Sequence, residues 1–181
     1  MKRFAILFLL AVAGIVRAQT NAPAPAAAGP DIDITSEHGF FDGVKRQMIY
    51  QGHVLVTDAR STLRCGLLTV DLPEGGGRPT NIVALTNVVI DALDEKGQTN
   101  HITAEKAVYT YHVMNAVTNE VITFTGGDPT PRVENPQFTI TGEPLVLDLR
   151  TRQFSGSNYR TVIKGLPGAG GTNASPFNLL K

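Results

Sequence analysis

The chain writes one nine-residue pattern four times: "ITSEHGFFD" from Ile34, "LRCGLLTVD" from Leu63, "ITAEKAVYT" from Ile102 and "ITGEPLVLD" from Ile140. Ile34, Leu63, Ile102 and Ile140 share the first column, and Phe41, Val70, Tyr109 and Leu147 the eighth. Asp42, Asp71 and Asp148 share the ninth, where the third copy has Thr110. After a turn, each copy is followed by a large apolar residue two before Gly or Asn. These are Tyr50 before Gly52, Leu85 before Asn87, Phe124 before Gly126 and Phe154 before Gly156. A run such as "HVLV", "VVI" or "RTVI" usually comes next. The unit is therefore strand, turn, strand, with a spacing of 29 to 39 residues. Two strands cannot bury their own apolar face, but stacked units can build one continuous core.

The residue types favour strands. "DIDIT" alternates, so Ile32 and Ile34 share one face and Asp31 and Asp33 the other; "GHVLVTD" sets Val54 and Val56 opposite Leu55. "TAEKAVYTYHVM" is the best helical rival, yet its β-branched and aromatic residues suit a strand better. "PEGGGRP" and "DEKGQ" read as turns. "GGDPTPRVENP" reads as a loop or a broken edge, because Pro cannot donate to a sheet ladder. The body, residues 31–164, is expected to be all-β with many short strands.

The two ends differ from the body. A basic start (Lys2, Arg3), an apolar run from Phe4 to Val16 and the small residues Val16 and Ala18 mark residues 1–18 as a signal peptide cleaved after Ala18. The run of 13 residues is short of the roughly 20 that span a bilayer. Residues 19–30, rich in Ala and Pro, read as a flexible spacer, and residues 165–181 as a disordered tail. Cleavage removes Lys2, Arg3 and Arg17, so 13 of the 16 basic residues face 16 acidic ones. That balance argues against a nucleic-acid partner, which requires a basic face.

No catalytic constellation emerges from the spacing. His38, His53, His101 and His112 lack the HxH or HExxH spacing of a metal site and are expected at solvent-facing strand ends. "PEGGGRP" lacks the Gly-Lys-Ser/Thr ending of a phosphate loop, and "FSGSN" lacks a nucleophile elbow. Cys65 is the single cysteine and reads as a buried core thiol. These readings point to a non-enzyme without cofactor or metal. Two sheets can pack their inner faces together or splay to leave a groove fit for acyl chains; the residues alone favour the packed form.

The first unit, "DIDITSEHGFFDGVKRQMIYQGHVLV", resembles the OstA-like, LptA-type family of lipopolysaccharide-transport proteins. The resemblance lies in Ile32, Ile34, Ser36, Glu37, the Phe41-Asp42 pair, Tyr50, Gly52, Val54 and Val56, and the later "ITAEKAVYT…FTG" and "ITGEPLVLD…FSG" are similar to the family's repeats. It covers most of residues 31–164. The second copy departs from it, with Cys65-Gly66 where the others have Ser, Ala or Gly followed by Glu.

What the resemblance implies is a twisted, open β-jellyroll of two splayed antiparallel sheets whose apolar interior holds lipid acyl chains. The implied protein is periplasmic and non-catalytic, shields lipopolysaccharide or a related glycolipid, and bridges inner to outer membrane. Its implied partners are the OstA-like components of both membranes and, head to tail, further copies of itself. An uncleaved leader would instead make it the inner-membrane-anchored receiver of the same pathway. A packed interior would make it a scaffold that binds proteins by its edge strands.

The residues expected to line the interior come from each repeat in turn. The first unit contributes Ile32, Ile34, Phe41, Tyr50, Val54 and Val56, and the second Leu63, Val70, Leu85, Val88 and Ile90. Ile102, Tyr109 and Phe124 follow from the third, and Ile140, Leu147 and Phe154 from the fourth. Lys45, Arg46, Arg60, Arg64, Arg150 and Arg152 are the basic residues that could meet lipid phosphates, although exposed basic residues are usually only solvated.

Overall fold

A computed structural model of the chain describes residues 32–94, 96–115 and 117–165. The expected leader (1–18), the spacer (19–30) and all but the first residue of the tail lie outside the described residues. Strands fill the rest, and no helix occurs among the described residues. In chain order they are β1 (Asp33–Thr35), β2 (His38–Asp42), β3 (Gln47–Thr57), β4 (Ser61–Asp71), β5 (Asn81–Leu93) and β6 (Thr99–Met114). There follow β7 (Val117–Thr125), β8 (Arg132–Glu134), β9 (Phe138–Thr141), β10 (Leu145–Asp148), β11 (Gln153–Gly156) and β12 (Arg160–Ile163).

All pairings are antiparallel. The strands β3 to β7 form a meander, each paired with the next in sequence. The segment expected to rival it as a helix is β6, the longest strand, because Val108, Tyr109, Thr110 and Tyr111 all sit in the ladder to β7. The sequence repeats become hairpins: β1 and β2 with β3, β4 with β5, β6 with β7, and β9 and β10 with β11 and β12.

One crease divides this sheet into two halves. The ladders shift register between Gln51 and Val54, between Arg64 and Leu67, and between Leu85 and Val88. In β6 the partner changes at the same level, from β8 at Thr103 to β7 at Lys106. Each shift is a β-bulge, which bends a strand and sharpens its twist. The strands β3 to β6 run through the crease, whereas β1 and β2, β9 and β10, and β11 and β12 are broken across it. The two splayed sheets of the jellyroll therefore share four strands.

The repeated letters explain the crease. Glu37 meets Gly52, whose φ is +80°; a Cβ there would lie 2.9 Å from the Glu37 Cβ. Glu105 meets Gly126 (φ +153°), where a Cβ would lie 2.7 Å from the Glu105 Cβ. At the degenerate second copy the sizes are exchanged: Gly66 faces Thr86, and a Cβ on Gly66 would lie 3.1 Å from the Thr86 Cβ. The Glu of the pattern thus faces a position that must be small, and where that position is Thr, the Glu becomes Gly.

Two of the ninth-column aspartates close turns, while Asp71 accepts the side-chain amides of Gln47 and Asn81 across the strands. Asp42 Oδ1 accepts the Val44 and Lys45 amides, and Asp148 Oδ1 those of Arg150 and Thr151. The third copy, with Thr110 in that column, has no turn there, and β6 continues to Met114. One expectation needs correcting. "GGDPTPRVENP" is not wholly loop or edge, because Arg132–Glu134 forms β8 within the sheet, paired with β6 on one side and β9 on the other. The prolines, Pro131 and Pro136, flank these three residues and leave their amides free to donate.

Candidate functional site

Cross-strand register turns the repeat columns into continuous rows on the inner face. On one side of the crease, Ile34, Val56, Leu63, Ile90, Ile102, Val133 and Ile140 are successive neighbours across the strands. On the other side the row is Phe41, Met48, Val70, Ile82, Tyr109, Ile122, Leu147 and Phe154. The first column of the repeat is one rung and the eighth is the other, because residues an even number apart keep to one face of a strand.

Nearer the crease the inner face closes. Val54, Cys65, Val88 and Ala104 from one half pack in one cluster with Leu68, Ala84, Ala107, Phe124 and Leu145 from the other. Phe124 and Leu145 are each 0% exposed. The outer rungs are mixed: Val70, Ile102, Val133 and Ile140 are buried, whereas Ile34, Val56, Leu63, Ile90, Ile122, Leu147 and Phe154 are only partly buried against that core. The interior is thus packed at the crease and opens toward the mouth.

Most of the expected interior residues fall on these rows or, as Tyr50, Val54, Val88 and Phe124 do, in or against the cluster at the crease, and two join neither. Ile32 precedes β1 and is 63% exposed. Leu85 lies on the outer face, since Ala84 is the residue in line with Tyr50, Leu68, Ala107 and Phe124. Thr86 (φ +69°) and Asn87 (φ +53°) form the bulge as Gly52 (φ +80°) and His53 (φ +44°) do, so the equivalent of Gly52 is Thr86, not Asn87. That offset of one residue inverts the face. Phe41 sits in its rung by register but on the edge strand β2, and stays 55% exposed. Met48, Ile122 and Leu145 were legible from strand alternation alone, each being two residues from a named position; Ile82 was hidden by the misplaced Leu85, three residues on, and Val133 by its prolines.

At the mouth, a cleft of about 560 Å³ opens between the two halves. Ile102, Phe138, Leu147 and Phe154 form its apolar wall. Asn100 and Asn135 line it too, joined by a 3.2 Å hydrogen bond from Asn135 Nδ2 to Asn100 Oδ1. On the opposite half the rim is charged. Arg78 from the glycine-rich loop donates from Nη1 to both Glu120 carboxylate oxygens (2.9 and 2.8 Å) and lies 5.2 Å from the Tyr111 ring centroid. Tyr109 donates to Glu120 Oε1 at 3.0 Å, and burial together with that carboxylate pushes its phenol up to about 12.

Two of the histidines have structural partners. His53 and His101 stand within strands rather than at strand ends, 2.6 Å from Glu37 and Asp91 respectively. Among the described residues, no group of three or more His, Cys, Asp or Glu could hold a metal ion. Burial pushes the Cys65 thiol up to about 11, which keeps it protonated and inert at neutral pH. The arrangement can shelter apolar chains.

The chain compares with known proteins as follows. The family model described as LptA/(LptD N-terminal domain) LPS transport protein matches residues 33–153. Among solved structures, the fold is similar to that of LptH, described as the LptA homologous periplasmic component of the conserved lipopolysaccharide transport device from Pseudomonas aeruginosa. The TM-score is 0.61 at 13% sequence identity, over 75% of this chain and 96% of that chain. No curated protein sequence matches the chain.

Proposed function

This chain belongs to the family of LptA and the LptD N-terminal domain, lipopolysaccharide transport proteins, and from that premise we propose that it shields lipopolysaccharide acyl chains between its half-sheets. On this reading it works in the periplasm, as LptH is described to do, and bridges inner to outer membrane. The observation that carries the reading is the pair of apolar rungs that cross every strand level and open at the mouth into a cleft walled by Phe138, Leu147 and Phe154. Each methylene moved there from water gains about 0.8 kcal/mol. The work is transfer, with no bond made or broken.

Two open edges support joining in line. The sheet begins at β1 and β2 and ends at β11 in one half and at β12, paired with β9, in the other. Exposed Phe40 and Phe41 mark the first edge, and exposed Val162 and Ile163 the other. An unpaired edge strand recruits another strand, and two different edges on one molecule give a head-to-tail joint with copies or with related transport components.

A photo-crosslinking amino acid tests the interior. Placed at Phe154 or Ile122 it should capture lipopolysaccharide in cells, whereas at Val83, on the outer face, it should not. Equal capture at Val83, or none at the inner positions, would remove the reading.

A further inference from the structure

The mouth cleft carries charge beside its apolar wall. Among the described residues that line it, Arg60, Lys96 and Arg152 outnumber Asp58 and Asp94. Both carboxylates are engaged in turns. Asp58 Oδ1 accepts the Arg60 and Ser61 amides, and Oδ2 the Ser61 hydroxyl. Asp94 Oδ1 accepts the Lys96 and Gln98 amides. The Arg60 guanidinium pairs with neither carboxylate. Its Nη2 donates to the Leu93 and Asp94 carbonyls, which fix the group without neutralising it and leave Nε and Nη1 as donors.

An apolar wall, hydrogen-bonding amides and cationic side chains at one opening match an amphiphile with a phosphorylated sugar head. We propose that Arg60 and Lys96, on the two turns at the mouth and beside Arg152, hold a phosphate of the glycolipid headgroup while its acyl chains lie along the rungs. The assignment rests on the reading of the interior as an acyl-chain site and adds to it the contact that sets the lipid's orientation. The phosphate would enter with its oxygens toward Arg60, whose planar fork suits them, and Lys96 would add a point charge. Asn100 and Asn135 line the same cleft and offer the amides that a sugar would meet.

The test compares binding of lipid A with binding of the same lipid after phosphatase treatment, using the full purified chain, with and without excess inorganic phosphate. Lys96→Ala leaves its turn intact, because Asp94 takes the main-chain amide of Lys96; Arg60→Gln is the second variant. The expected result is a preference of about tenfold for the phosphorylated lipid, which either variant cuts about threefold while binding of the dephosphorylated lipid stays unchanged. Excess inorganic phosphate should erode the same preference. An unchanged preference in both variants, or equal weakening of both lipids, overturns the assignment. Inorganic phosphate that binds at these residues without touching the lipid preference makes this a free-anion site and also overturns it. If the unaltered chain binds both lipids equally, the headgroup site fails and the acyl-chain reading stands; if it binds neither, both fail.

Discussion

Gly126→Ala tests whether the crease is built by steric exclusion. The φ of +153° at Gly126 is a glycine conformation, and holding Ala there costs about 1–3 kcal/mol. The new Cβ would also stand 2.7 Å from the Glu105 Cβ and 3.0 Å from the Glu105 nitrogen. Glu105 cannot withdraw cheaply, because Thr103 pairs with β8 and Lys106 with β7 on either side of it. Overpacking of that kind adds about 1–3 kcal/mol, for a total near 4. Gly76→Ala separates the two contributions: its φ is +74° but nothing lies within 4 Å of the new Cβ, so about 1 kcal/mol is expected. Equilibrium urea unfolding, followed by far-ultraviolet circular dichroism, should place the Gly126 variant's midpoint more than about 1 M below that of the Gly76 variant. Midpoints that coincide would mean that Glu105 yields freely and that the crease does not depend on a small residue.

Three further outcomes follow from the packing and the charges. Phe124→Ala, at the closed side of the interior, should destabilise by about 3–5 kcal/mol, and Phe154→Ala, at the open mouth, by under about 2, both read from urea midpoints. Equal losses would mean that the interior is uniformly packed. The Asp91 carboxylate is held below the usual range by its His101 hydrogen bond, with burial opposing and Arg64 assisting. Its contribution to stability is therefore full above about pH 4 and is lost as the pH falls through the depressed value, so Asp91→Asn should flatten the acid limb of a stability profile. Tyr109 should ionise late, near pH 12, in an alkaline absorbance titration, and Glu120→Gln should bring it forward; a Glu120 variant that leaves the titration unchanged would remove that carboxylate as the cause.

Much of the interior was legible because one physical rule writes it. A strand shows the same face every second residue, so a column of Ile34, Leu63, Ile102 and Ile140 in four copies becomes one rung. Leu85 escaped because the bulge that stands in for Gly52-His53 in β5 is Thr86-Asn87, and a β-branched residue at φ +69° carries no turn signal. Val133 escaped because the neighbouring prolines suggested a break, although three residues between them suffice to pair with both neighbours. The cleft could not be read at all. Its wall joins the turn at Asp58, the strand at Asn100, the turn at Asn135 and the hairpin at Leu147, which only the folded sheet brings together.

The exchanged sizes at the crease also order the steps by which such a chain can change. Restoring the Glu of the other copies at Gly66 while Thr86 is present would begin with a Cβ 3.1 Å from the Thr86 Cβ, at a backbone already bent by the bulge. Reducing Thr86 to Gly first opens that space and relieves a β-branched residue at φ +69°. The same pair of substitutions is thus passable in one order and obstructed in the other, and the easier route at this crease position runs through Thr86.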